Sequence, residues 1–219
     1  MEHNARFADL TLADFEERLA SAQPVPGGGS ASAIAGSMAA SLLAMVSRLS
    51  SDRPKYAEYA ETHSHALEVA EGARLRLLEL ADADAVAYAA FGAARKMPRE
   101  TQEEQRARES ASQAAARQAT EVPLDVVRQC AQLMLAVEQM AGRSNLNASS
   151  DLEVAARLAA AAARGAAANV IINLPSVGDE RYSAVTSYEV AQLVEAIDRM
   201  TAQVAQRVGH GTLREPEQA

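Results

Sequence analysis

Ser30-Ala31-Ser32-Ala33-Ile34-Ala35-Gly36-Ser37-Met38-Ala39-Ala40-Ser41-Leu42-Leu43-Ala44-Met45-Val46-Ser47-Arg48-Leu49 is the stretch that decides the fold. It has no charge before Arg48 and is built from Ala, Ser, Leu, Met, Ile, Val and one Gly. Alanine has the highest helix propensity and loses no side-chain entropy on ordering. A helix apolar on every side belongs in the middle of a bundle. Gly36, Ser37 and Ala40 are small enough to admit neighbouring backbones closely. Just ahead lies Gln23-Pro24-Val25-Pro26-Gly27-Gly28-Gly29, two prolines and three glycines that read as a non-helical turn. The central helix is therefore expected to start at Ser30.

Helices are predicted on both sides of this stretch. Thr11 reads as an N-cap opening a helix to about Ala22, with Phe15, Leu19 and Leu12 as its apolar face. Asp52-Arg53-Pro54 is a turn, and a long helix follows from about Lys55 to Ala94. Val69, Leu75, Leu78 and Val86 are its apolar positions, and Gly72 is a possible bend. Thr101-Gln102-Glu103-Glu104 is a capping box opening a helix to about Ala119. Pro123 marks a break or a new first turn. Val126, Val127, Cys130, Leu133, Met134 and Val137 give the next helix, ending at Gly142, a 3-4 pattern. Ser144 to Ser149 is a polar loop. Ser150-Asp151-Leu152-Glu153 is a further capping box before an Ala-rich helix closed by Asn173-Leu174-Pro175. Val170-Ile171-Ile172 could form a strand, but with no second strand to pair with it reads as helix. Thr186-Ser187-Tyr188-Glu189 caps the last helix, to about Gly209. The expectation is an all-α multi-helix bundle forming one domain over residues 1–209, with a disordered tail over 210–219.

The 219 residues are enough for one sizeable core, and 48% are hydrophobic against 4% aromatic, with no Trp. A net charge of −8 argues against nucleic acid, whose binding needs a dense basic surface. The single Cys130 cannot form an internal disulfide and reads as a buried thiol. Met1 to Arg6 is polar and lacks the apolar core of a signal segment. No run is expected to reach the roughly 20 apolar residues of a membrane span. A cytoplasmic location is the default expectation.

Four features could carry chemistry. Gly27-Gly28-Gly29-Ser30 at a helix start exposes unpaired N–H groups at the positive end of the helix dipole, an anion site. The same residues equally suit a tight packing turn. There is no P-loop lysine and no preceding strand for a dinucleotide fingerprint. Asp82 and Asp84 lie in an Ala-rich turn, either on a solvated face or in a cleft, and Asp84 shares a face with Tyr88. Lys96 and Arg99 flank Pro98 at the helix end. Asn145, Asn147 and Asp151 surround a predicted helix start, and Asn169 and Asn173 sit four apart in an apolar helix, where amides need partners. His63 and His65, two apart, have poor spacing for a metal, and no metal site is expected.

Taken together, several blocks resemble one family. They are Phe15-x-x-x-Leu19-Ala20-Ser21, Pro24-x-Pro26-Gly27-Gly28-Gly29-Ser30 and Ala44-Met45-Val46-Ser47-x-Leu49. Asp82-x-Asp84-Ala85-x-Ala87-Tyr88, Lys96-Met97-Pro98-Arg99, Arg108 and Val122-Pro123-Leu124 follow. Asn145-x-Asn147-Ala148-x-Ser150-Asp151 and Gly165-Ala166-x-x-Asn169-Val170-x-Ile172-Asn173-Leu174 complete the series. In this order they resemble the formiminotetrahydrofolate cyclodeaminase/methenyltetrahydrofolate cyclohydrolase family. Arg143-Ser144, in place of the more usual Gly-Asn, and Tyr88, where Phe is common, depart from its pattern.

The resemblance implies a helical homodimer or higher oligomer acting on a folate-bound one-carbon unit, with no prosthetic group, metal or nucleotide. It implies hydrolysis of 5,10-methenyltetrahydrofolate to the 10-formyl form, or release of ammonia from the 5-formimino form. A non-catalytic folate-binding dimer is the third reading. Asp84 is the first candidate acid/base, then Asp151, with Lys96 as a proton donor. Gly27, Gly28, Gly29 and Ser30 would bind a carbonyl or carboxylate of the folate. Arg99 and Arg108 would take its glutamate tail, and Asn145 and Asn147 the pterin edge. Tyr88 and Asn169 complete the expected folate-binding set.

Overall fold

The computed structural model describes residues 6–215 and contains six α-helices and short 3-10 turns, with no strand among the described residues. The helices are α1 (Leu12–Ala20), α2 (Gly28–Ser51), α3 (Ala60–Arg95), α4 (Gln102–Met140), α5 (Ser149–Asn173) and α6 (Glu180–His210). This is the all-α bundle expected.

The apolar stretch forms α2, as predicted. Ser37 Oγ donates to Arg74 O at 3.1 Å and Ser47 Oγ donates to the His63 carbonyl, so α2 runs antiparallel to α3. Gly165 faces Ser32, where a Cβ would meet the Ser32 hydroxyl, and Gly28 lies by the Asn169 amide, so α2 is also antiparallel to α5. A shared core of Leu43, Leu77, Leu133, Met134, Leu152 and Ile197 joins α2 to α6. Cys130 is fully buried there, 3.2 Å from where a Cβ on Gly36 would lie. By length and apolarity alone, α2 and the stretch Leu146–Ser176 could cross a membrane, which corrects the expectation of no such run; 61% of the α2 window is buried inside the bundle.

Several boundaries differ from the sequence reading. Thr11 caps α1, accepting from Asp14 N at 3.1 Å, but α1 ends at Ala20, and Leu12 is 67% exposed. Residues Pro54–Tyr59 form a 3-10 turn, and α3 starts only at Ala60 and runs helically through Gly72. Leu75 and Val86 are exposed rather than buried. The two helices expected around Pro123 are one continuous α4 with Pro123 inside it. Proline has no N–H to donate to the carbonyl four residues back, that of Ala119. The Asn173 amide supplies that bond instead, donating to Ala119 O at 2.8 Å. The repair comes from α5, so it is invisible along α4 itself.

The Thr101 capping box is present in full. The boxes at Ser150 and Thr186 are not helix starts. The Asn145 side chain accepts from Asn147 N at 3.1 Å, opens a 3-10 turn over Leu146–Ala148, and hands directly to α5 at Ser149. Asp179 caps α6 by accepting from Tyr182 N at 2.9 Å, leaving Thr186 buried inside the helix.

The tail expected to be disordered from His210 is instead held as far as it is described. Arg214 N donates to Gly142 O at 2.7 Å, and Tyr59 Oη donates to Arg214 O at 2.6 Å. Arg143, buried, donates from Nε to Glu215 O at 2.9 Å, which gives the arginine at that position a structural role. Residues 1–5 and 216–219 lie outside the described residues, so the reading of the first residues as polar and free of a signal core gains no structural account.

Candidate active site

The start of α2 defines the site. The helix begins at Gly28, two residues earlier than expected, with Gly27 as an N-cap that offers no side-chain hydrogen bond. A helix start leaves donors in need of partners. Here the anion comes from the protein itself. Asp84, on α3, accepts from the Ser30 hydroxyl at 3.0 Å and from the Ser30 backbone N–H. The same hydroxyl lies 3.0 Å from Ala81 O. Gly29 lies directly against this carboxylate, and a Cβ there would collide with all three carboxyl atoms. Gly29 is the glycine that this close approach requires, and the anion it serves is Asp84.

Burial pushes the Asp84 carboxyl above the usual carboxylate range, against the opposing pull of the Ser30 hydroxyl and N–H. Such a group can exchange protons nearer neutrality than an exposed carboxylate. Asp82, two residues earlier, serves the fold instead. It accepts from Phe7 N at 2.8 Å and pins the N-terminal turn.

Asp84 lines a cavity of about 420 Å³ between α3 and α5, together with Gly27, Gly28, Gly29, Tyr88 and Asn169. This is within the range of small-molecule sites, roughly 300–1,000 Å³. Tyr88, 53% exposed, Phe91 and Ile172, 74% exposed, give it flat and apolar walls. Asn169 Nδ2 donates to Gly165 O at 2.9 Å, leaving its Oδ1 to accept from a ligand. Ala119 and Asn173, the pair that repairs the proline break, form part of the wall.

The structure thus gathers Gly27, Gly28, Gly29, Asp84, Tyr88 and Asn169, as the sequence suggests. Ser30 is fully buried and holds Asp84 instead of facing a ligand. Lys96 is exposed at the C-cap of α3, twelve residues from Asp84 and so about 18 Å along the axis. The cation that lines the cavity is Arg95, which the sequence reading misses. Asp84, Tyr88, Phe91 and Arg95 follow a four-three-four spacing along one helix face, and that periodicity is the available signal. Arg95 Cζ lies 5.8 Å from the Phe91 ring centre. Arg99 and Arg108 line a separate hollow of about 350 Å³, and Arg108 Nε donates to Arg95 O at 3.1 Å.

Asn145, Asn147 and Asp151 are elsewhere. Asn145 N donates to Ser50 Oγ at 2.9 Å, and the Asn145 side chain reaches Leu49 O, at the far end of α2. Ser30 and Ser50 are twenty residues apart in that helix, about 30 Å. Within one chain the asparagine loop does not touch the cavity.

A helical bundle with a single desolvated carboxylate in a ligand-sized cleft is the class that fold and site define. Residues 11–192 match the formiminotransferase-cyclodeaminase family, and the chain belongs to it. It is 38% identical over 173 residues to a methenyltetrahydrofolate cyclohydrolase of Methylorubrum extorquens, covering 79% of this chain and 83% of that one. It is 33% identical over 196 residues to the formimidoyltransferase-cyclodeaminase of Rattus norvegicus, covering 90% of this chain but only 36% of the rat protein. The crystal structure of a formiminotetrahydrofolate cyclodeaminase from Thermotoga maritima superposes with a TM-score of 0.84 at 28% identity, over 93% of this chain and 98% of that one.

Proposed function

We propose that this chain is a methenyltetrahydrofolate cyclohydrolase, converting 5,10-methenyltetrahydrofolate and water to 10-formyltetrahydrofolate and a proton. The observation that carries the reading is Asp84, fixed at the start of α2 and desolvated inside a flat-walled cavity. The substrate carries a positive charge delocalised over the bridging N–C–N unit. A carboxylate beside that unit favours its binding. As water attacks the bridging carbon, Asp84 takes the proton from its oxygen. The tetrahedral adduct collapses when the bond from carbon to N5 breaks. N5 takes the proton from Asp84, and the remaining hydroxyl proton leaves to solvent as the formyl C=O forms. The folate rings lie between Tyr88, Phe91 and Ile172, and Arg95 receives the carboxylates of the tail, with Arg99 and Arg108 beyond it.

Cyclodeaminase is the second reading, favoured by the names of the rat and Thermotoga maritima proteins. There Asp84 would protonate the departing ammonia as N10 closes on the formimino carbon. Loss of the near-ultraviolet absorbance of methenyltetrahydrofolate decides the first reading: acceleration over buffer is expected, and none would remove it. Ammonia release from 5-formiminotetrahydrofolate would establish the second. In either case the active species is proposed to be a homodimer formed through helices, in the cytoplasm.

A further inference from the structure

Among the described residues, two charged groups line the cavity at the start of α2, Asp84 and Arg95, both on α3. The α5 wall is uncharged and carries two amides, Asn169 and Asn173, with Ile172 between them. What each nitrogen does fixes how each amide is turned. Asn169 Nδ2 donates to Gly165 O at 2.9 Å, and Asn173 Nδ2 donates to Ala119 O at 2.8 Å. A carbonyl can accept only from the nitrogen end of an amide, so in each case the oxygen is left over. Neither Oδ1 has a partner among the described residues. Neither is sealed from solvent, since the buried polar side-chain atom without a partner is His63 Nδ1. The fold uses the two nitrogens and leaves the two oxygens to a ligand.

Four residues apart on a helix, the two side chains leave from Cβ atoms about 5–6 Å apart on one face. Asn169 lies by Gly28, next to the glycine that rests on Asp84, and Asn173 is one turn farther along, beside Ala119. A planar amino group on a ring has two N–H bonds that diverge by about 120°, so acceptors at hydrogen-bonding distance from both lie about 5 Å apart. That spacing matches the pair. A ligand acceptor would be repelled by both oxygens, and an apolar group would strip them of water without replacing it. The 5,10-methenyl substrate has no N–H on its bridging N–C–N unit. Its one primary amine is the 2-amino group of the pterin ring, at the end opposite N5. Held by that end, the ring turns its bridge toward Asp84.

We infer that Asn169 and Asn173 select the substrate by its 2-amino group, each oxygen accepting from one of its two N–H bonds. The inference rests on the folate reading and adds to it the ring group that α5 reads. It also moves the pterin edge from Asn145 and Asn147, where the sequence blocks put it, to the α5 wall of the cavity.

Calorimetric binding of two ligands tests it: tetrahydrofolate, and its 2-desamino-2-methyl analogue, in which a methyl group replaces the amine. The wild type is expected to bind tetrahydrofolate at least about tenfold more tightly, because the analogue leaves both oxygens unpaired. In Asn169→Ala that preference is expected to fall to within about threefold, through loss of affinity for tetrahydrofolate alone. Asn173 also closes the gap left by Pro123, so its variant is made in a Pro123→Ala background, where the Ala119 carbonyl regains a helix partner. Pro123→Ala/Asn173→Ala should lose the preference that Pro123→Ala retains. Equal binding of the two ligands by the wild type, a measurement that needs no variant to fold, overturns the inference. So does an equal loss of both ligands in the variants, which a purely structural role of the amides would give. A wild type that binds neither ligand overturns the folate reading, and the amide assignment with it.

Discussion

Asp84 carries two opposed demands. Its carboxyl is held by Ser30, which favours the charged form, and desolvated by the surrounding helices, which disfavours it more. A carboxyl raised in the folded state favours folding while it is protonated, and that contribution is lost as pH climbs through the folded pKa. Asp84→Asn removes the penalty. At neutral pH its melting temperature is therefore expected to equal or exceed that of the wild type, while turnover falls by about 10²–10⁴-fold. Thermal melts and the methenyl absorbance assay read the two effects separately. If Asp84 is the base, wild-type kcat/KM should decline as pH falls through an apparent pKa above the ordinary carboxylate range, and this limb should vanish in the variant. Gly29→Ala should cost about 1–3 kcal/mol, because the added methyl lands on the carboxyl atoms, and should lower activity as well. Denaturant titration measures the first. At this scale the sequence is informative where chemistry and spacing agree: Asp84 and Tyr88 stand out by their four-residue interval. Arg95 is overlooked beside Lys96 when the presence of a cation is read without its angular position on the helix.

Between helices, the least predictable feature is the pairing of Pro123 with Asn173. Along α4, a proline after Ala119, Thr120, Glu121 and Val122 reads as a break. What keeps the helix whole is a side chain fifty residues later, and no local pattern announces it. Asn173→Ala should leave the Ala119 carbonyl without its partner and cost about 1–3 kcal/mol. The same change made in a Pro123→Ala background should cost much less, because alanine restores an N–H at the fourth residue. A double-mutant cycle by urea denaturation checks this; equal costs in both backgrounds would disprove the coupling. Capping patterns follow the same logic. Those at Thr11 and Thr101 hold in the structure, whereas the one at Thr186 lies inside α6 because Asp179 caps it earlier. A Ser/Thr-x-x-Glu pattern is also acceptable within a helix, so it marks a start only where packing leaves the chain free upstream.

For the molecule as a whole, helix content and the central place of α2 follow from alanine and the absence of charge. The placement of the asparagine loop does not, since it depends on which end of α2 each connection reaches. Nor does the ordering of the C-terminal segment. Arg214 donates from Nη1 to Glu138 Oε1 at 2.9 Å as well as pairing through its backbone. Arg214→Ala should therefore destabilise by about 1–3 kcal/mol, visible as a lower urea midpoint. A value near zero would mean that the segment adds nothing to stability. The buried thiol of Cys130 offers a clock for the same fold. Burial pushes it up to about 12, so the folded chain gives almost no thiolate to react. It sits where α2, α3 and α4 converge, beside Gly36 and Leu77. A soluble disulfide reagent can reach it only after those three helices separate. The rate of its modification, set against that of an unfolded peptide thiol, then times the opening of the innermost layer, with no label to introduce.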